Sequence, residues 1–215
     1  MKGLLIKDFC LLKNQKRVLP IVLLLAVWFT VMHQDSFAFT FIGMMMTILA
    51  VGTHSYDEVN NGFTFLFTLP FSRRTYVKEK FVLTGILLCL GMVVSFVCLL
   101  VAKLVEKVPF PASEVGLTVV LTVAVCLISA AVLIPVRIRY GSESGRIIFM
   151  VVFGVMAMVL VLIGKLLPAG SEEKAAQFFA GLSPAVLFAV LAVAVVVILL
   201  IGYRVSVKWI EKKEY

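Results

Sequence analysis

The sequence predicts an all-α integral membrane protein. It should have six transmembrane helices, an N-terminal amphipathic helix and a cytoplasmic insert between spans two and three. Three observations predict this. Of 215 residues, 62% are hydrophobic and 15% charged, against roughly 45–50% and 25% in soluble domains. The apolar residues gather into six runs near the length a helix needs to cross a bilayer, where every backbone polar group must be paired inside the segment. Sixteen of the twenty lysines and arginines fall on one side of the resulting topology, the side that the positive-inside rule makes cytoplasmic.

Residues 2–17, KGLLIKDFCLLKNQKR, set Leu5, Phe9 and Leu12, with Leu4 and Leu11 beside them, against a polar face of Lys2, Lys7, Asp8, Lys13 and Asn14. This pattern suits an interfacial helix with its lysines toward anionic headgroups. It can be a topology anchor, or an elbow helix that also touches a partner. The spans are expected at residues 18–33, 37–53, 75–102, 117–136, 147–167 and 184–203, making residues 1–215 one membrane domain. The first two are short, which points to tilt or local thinning of the bilayer. The polar step at Gln34 and Ser36 separates them, and the first turns of the third remain in the cytoplasm. Charges spread through residues 1–17 argue against a cleavable signal peptide. Both termini are expected in the cytoplasm.

The insert, residues 55–80, reads SYDEVNNGFTFLFTLPFSRRTYVKEK. Ser55 followed by Glu58 has capping-box spacing, so a helix is expected to start near Tyr56, with Asp57 and Glu58 in its first turn. Asn60, Asn61 and Gly62 form a turn signal. Phe63, Phe65 and Phe67 are expected on a short second helix that Pro70 ends through Leu69. Ser72 is the expected N-cap of the third span. The aromatic side chains can dip into the interface, or anchor a short transverse helix in a groove of a cytoplasmic partner.

Other features narrow the function. No Asp, Glu or Arg is expected near a midplane, which argues against ion-driven transport. The basic residues sit at helix ends, so the charge of +8 is a topology signal and no nucleic-acid partner is expected. Cys10, Cys89, Cys98 and Cys126 form no disulfide framework, and His33 and His54 fall at opposite faces, so no metal is expected. Small and polar residues line one face of span two (Thr40, Gly43, Thr47, Ala50, His54), span three (Thr84, Gly91, Ser95, Cys98, Ala102) and span four (Thr118, Thr122, Cys126, Ser129). Such stripes serve helix packing. Alternatively Thr40, Gly43, Met44, Thr47 and Ala50 form a pathway or dimer face, with Met44, Met45 and Met46 as a pliable surface. Pro135 is expected to bend or end span four, with a turn at Gly141 and Gly145. No phosphate-binding loop is present: Gly164-Lys165 lacks the upstream glycine and following hydroxyl. No nucleophile–base pair stands out, so the chain is not expected to be an enzyme by itself.

Three patches carry a resemblance. They are Leu4-Leu5-Ile6-Lys7-Asp8-Phe9 with Lys13; Glu58, Asn61, Gly62, then Leu69-Pro70-Phe71-Ser72-Arg73 and Lys80; and Pro135, Tyr140-Gly141, Gly145-Arg146. In order and spacing they resemble the small six-span ABC-2-type transport permeases of Gram-positive bacteria. By size and hydropathy the chain looks most like the permeases of phenol-soluble-modulin exporters, which move amphipathic peptides and protect against antimicrobial peptides. The resemblance implies a coupling helix around Asp57–Phe67 seated in a separate ABC ATPase, with Asp57, Glu58, Asn61, Gly62, Phe63, Phe65, Phe67, Leu69 and Pro70 at that interface. It also implies an elbow helix carrying Leu5, Lys7, Asp8 and Phe9. ATP and Mg would bind the ATPase, present in two copies, and not this chain. A second permease chain, simplest as a homodimer, would complete a peptide pathway in the bacterial plasma membrane. A membrane anchor or sensor that docks an ATPase without transporting is the other reading.

Overall fold

The computed structural model describes residues 2–14, 18–32, 35–58, 63, 66, 72–106, 112–166 and 184–212. These form α1 (Lys2–Asn14), α2 (Val18–Val31), α3 (Asp35–Glu58), α4 (Arg73–Glu106), α5 (Ala112–Leu166) and α6 (Pro184–Lys212). Four segments are long and apolar enough to cross a membrane: Asp35–Glu58, Arg73–Val105, Val115–Gly141 and Val186–Lys212. Pro20–Val31 is a shorter apolar helix. Past Gly141, α5 stays helical to Leu166, over the stretch expected as span five.

Helix α3 is the centre of the bundle, packed by α1, α2, α4 and α5, while α6 lies mainly on α5. Its ends are tied to α4 by ion pairs, Asp35 to Lys103 at 3.2 Å and Asp57 to Lys80 at 3.0 Å. The two helices are therefore antiparallel. Asp35 and Asp57 are roughly six turns apart, about 33 Å at 1.5 Å per residue, close to the ~30 Å of a hydrocarbon core.

Between those levels the hydroxyls are satisfied without water. Thr30, Thr47, Thr84, Ser95 and Ser206 each donate to the carbonyl four residues earlier, at 2.7–3.0 Å, the back-bonding that lets Ser and Thr sit in apolar helices. The stripes of spans two and four face each other. Ser36 meets Thr118 at 3.3 Å, Thr40 meets Thr122 at 3.2 Å, and Ser129 donates to the Met44 sulfur at 3.7 Å. A side chain at Gly43 would meet Met92 at 2.8 Å and Cys126 at 3.0 Å. Gly43, Thr47 and Ala50 are buried in a packing seam within the chain, Met44 is half-buried, and Thr40 alone is exposed.

Two local expectations change. No helix starts at Tyr56: α3 runs unbroken from Asp35 to Glu58, and Ser55, inside it, accepts a hydrogen bond from Arg137 at 3.1 Å instead of capping. Span four does not end at Pro135, which lies within α5; the break is at Gly141, with φ 80°. The proline has no N–H and so leaves the Ala131 carbonyl without an intrahelical donor. Gly202 of α6 presses there, so close that a Cβ would lie 2.6 Å from that oxygen. By contrast, Ser72 caps α4 as expected, its Oγ accepting from the Thr75 amide at 3.2 Å.

Gly202→Ala is expected to force α5 and α6 apart and cost about 1–3 kcal/mol. Gly85→Ala, with open space around its Cβ, should be neutral or stabilising by up to ~1 kcal/mol. Thermal unfolding in detergent compares the two.

Candidate functional site: a ring of charges at the base of the insert

Asp57 and Glu58 close the last turn of α3, where the helix dipole disfavours negative charge. Cations from two other helices answer Asp57. Lys7 of α1 binds its Oδ1, and Lys80 of α4 lies 3.0 Å from its Oδ2. Asp8 of α1 bridges the same lysines, with Lys7 3.1 Å from its Oδ1 and Lys80 hydrogen-bonded to its Oδ2. Lys7, Asp57, Lys80 and Asp8 thus make a closed ring of alternating charge joining three helices. Asp8 is fully buried, Lys80 is 3% exposed and Asp57 6%.

Neutral groups complete the ring. Thr53 accepts from Lys80 at 2.9 Å and reaches Asp8 at 3.1 Å. Tyr76 donates its one proton to Asp57 Oδ2 at 2.8 Å. His54 Nδ1, 2.8 Å from the same phenol oxygen, must then be the donor, which fixes its tautomer. The Phe63 ring lies 5.1 Å from His54 and 5.8 Å from Tyr76, covering them. Glu79, also fully buried, stands 3.9 Å from Lys80. Burial works to lower the Lys7 pKa, but the Asp57 and Asp8 carboxylates outweigh it and hold it above the ordinary lysine value of 10.5. Residues 81–102 carry no charge, so Lys80 marks the edge of the apolar slab and the ring sits at that edge.

Every described strand of chain leaving the insert is gripped nearby. The Glu58 carboxylate occupies the space where a side chain at Gly141 would stand. Arg73, just after the Ser72 cap, donates to the Ile210 and Glu211 carbonyls at 3.0 and 3.1 Å. Arg74 pairs with Glu211 at 2.7 Å. Arg139 of α5 lies over the Tyr140 and Trp209 rings, 5.1 and 4.8 Å from their centroids.

The three sequence patches therefore meet at one end of the bundle: Lys7 and Asp8, then Glu58 and Lys80, then Gly141. The expected polar face of α1 is corrected, since Lys7 and Asp8 turn toward the protein while Phe9 and Ile6 are exposed. Leu5 packs against the Met46 and Leu83 cluster. Asp57 and Phe63, expected at a partner interface, face inward. Asn61, Gly62, Phe65, Phe67, Leu69, Pro70 and His33 lie outside the described residues. Sequence reasoning missed Thr53, His54, Tyr76 and Glu79 as members of the site. Asp57 just after one apolar run and Lys80 just before the next was the available signal, because opposite charges at one depth on adjacent helices pair. Among the described residues no group of three or more His, Cys, Asp or Glu is placed to hold a metal.

A bundle of long apolar helices with charges confined to its ends is a multi-pass membrane protein. Residues 3–211 match the family model described as ABC-2 family transporter protein, and the chain belongs to that family. It is accordingly a permease subunit of an ABC transporter, a membrane component that works with an ABC ATPase. No curated protein and no solved structure is significantly similar to it.

Removing one member of a buried ion pair strands the other. Lys80→Met is expected to cost about 3–5 kcal/mol, and Lys7→Met less, because the Lys7 side chain is 30% exposed; chemical denaturation in mild detergent measures both. Raising pH should release α1 before the bundle unfolds. The Lys7 contribution is complete below 10.5, its unfolded value, and disappears as pH passes its higher folded value. Hydrogen exchange in α1 follows this.

Proposed function

We propose that this chain is the permease of an exporter of amphipathic or antimicrobial-type peptides, working as a two-fold homodimer in the bacterial plasma membrane with both termini in the cytoplasm. Two ATPase subunits bind ATP and Mg and supply the energy. Residues 57–67 form the coupling segment, with Glu58, Asn61, Gly62, Phe65, Phe67, Leu69 and Pro70 at the ATPase and α1 as the elbow helix. Asp57 and Phe63 act differently from their neighbours: they anchor the segment from inside.

The observation that carries this reading is the convergence of all three patches at the end of the bundle that holds the charge ring. Residues 59–71 leave from Glu58, seated at the α5 break, and return at the Ser72 cap, beside Arg73 and Arg74 on the end of α6. A force on the insert is therefore delivered to α1, α3, α4, α5 and α6 together. Closure of paired ATPases upon ATP binding would pull two such inserts and shift the bundles between packings. The sixteen basic residues that favour the cytoplasm include the ends that hold the insert.

Co-purification with the cognate ABC ATPase tests it. Phe65→Asp and Glu58→Lys are each expected to weaken the complex at least tenfold, equal to about 1.4 kcal/mol, and to abolish permease-dependent ATP hydrolysis. Unchanged binding and hydrolysis in both variants would overturn the coupling assignment. Normal efflux of amphipathic peptides from cells lacking the chain, with docking intact, would favour the anchor reading.

A further inference from the structure

We propose that the ends of α4 and α6 bind an anionic phospholipid, with its headgroup on a cluster of cations and an acyl chain in the apolar groove below. Two independent observations carry this. The first is charge. Arg74 and Lys78 lie one turn apart on α4, and Arg204, Lys208 and Lys212 follow four-residue spacing on α6; all five are exposed. The Arg74–Glu211 pair holds the two helix ends together. Lys78, Arg204, Lys208 and Lys212 make no ion pair among the described residues, so Glu211 answers Arg74 alone. Five exposed cations held together around one carboxylate attract a further anion.

The second is the groove. Lys78 and Tyr203 stand on the rim of a cavity of about 380 Å³ walled by Phe81, Leu127, Val196 and Leu199. A second, of about 510 Å³, shares Leu127, Val196 and Leu199 as walls and extends to Phe188. From Tyr203 to Phe188 the groove follows α6 for about 22 Å, more than the roughly 15 Å of one hydrocarbon leaflet. The cations select an anion and the walls an alkyl chain. An amphiphile that is both, and that the bilayer always supplies, is an anionic phospholipid; basic pockets between membrane helices on the cytoplasmic side suit such headgroups. An acidic protein surface would use the cations but leave the groove empty, and a free phosphate would do the same. The site rests on the orientation that puts these helix ends in the cytoplasm, and not on the nature of the transported molecule.

Native mass spectrometry of the full chain in detergent decides it, with phosphatidylglycerol and phosphatidylcholine of identical acyl chains as probes. Phosphatidylglycerol should be retained preferentially, and excess inorganic phosphate should not displace it. The triple variant Lys78→Gln, Arg204→Gln, Lys208→Gln should weaken it roughly a hundred-fold, to the level of phosphatidylcholine. Val196→Phe, which fills the groove, should weaken both lipids. Equal retention of the two lipids by the native chain, displacement by phosphate, or an indifferent Val196→Phe variant overturns the proposal. So does a triple variant that keeps its lipid but loses the ATPase. If the triple variant does not fold, the native comparison and Val196→Phe remain decisive.

Discussion

The closed ring of Lys7, Asp57, Lys80 and Asp8 is the constraint on which one end of the bundle depends. Each carboxylate bridges two ammonium groups and each ammonium bridges two carboxylates. Removing one member therefore leaves two bonds broken at a site from which water is nearly excluded. Buried ion pairs add little net stability over apolar residues of the same shape, yet they are costly to break singly. What the ring provides is specificity of arrangement. With it intact, α1 has one place to dock, and the end of α3 and the start of α4 have one relative height.

That height fits the bilayer. Asp35–Lys103 and Asp57–Lys80 tie one antiparallel helix pair at two levels, and the intervening hydroxyls bond back to their own helices. These hydroxyls inside the slab are thereby satisfied without water, as lipid requires. Glycine does the remaining fitting: Gly43 admits Met92 and Cys126, and Gly202 backs onto the carbonyl that Pro135 leaves unpaired. Charge at the edges and small residues between them divide the task of fixing this fold.

Much of this was legible in the sequence. Helix class, the break before Asp35, the Ser72 cap and the gathering of basic residues at helix ends follow from local composition and spacing. The path of α3 through Ser55 to Glu58 did not, because a capping-box pattern competes with a helix that tertiary contacts extend, here Arg137 on Ser55 and Lys7 and Lys80 on Asp57. Of the two readings of Pro135, as a bend or as an end, the end is excluded: α6 packs against the freed carbonyl and the helix persists to the expected turn at Gly141. Within the site, Lys7, Asp8, Asp57 and Lys80 were all conspicuous as charges. Their mutual contact was invisible, because a helix wheel assigns Lys7 and Asp8 to solvent, and only a neighbouring helix bearing complementary charge reverses that. The stripe through Gly43 and Thr47 shows the converse, since its facing surface proved to be another stripe of the same chain.

The ring also gives the insert mechanical meaning, because residues 59–71 depart from and return to elements that it and the nearby arginines hold fixed. A double-mutant cycle on Asp8→Asn and Lys80→Met, read by hydrogen exchange of the α1 amides, tests this most directly. The ring predicts strong coupling: either single variant should remove most of the α1 protection, and the double variant should lose little more, giving an interaction energy of about 1–3 kcal/mol. Additive losses, or α1 protection unchanged in all three variants, would contradict it.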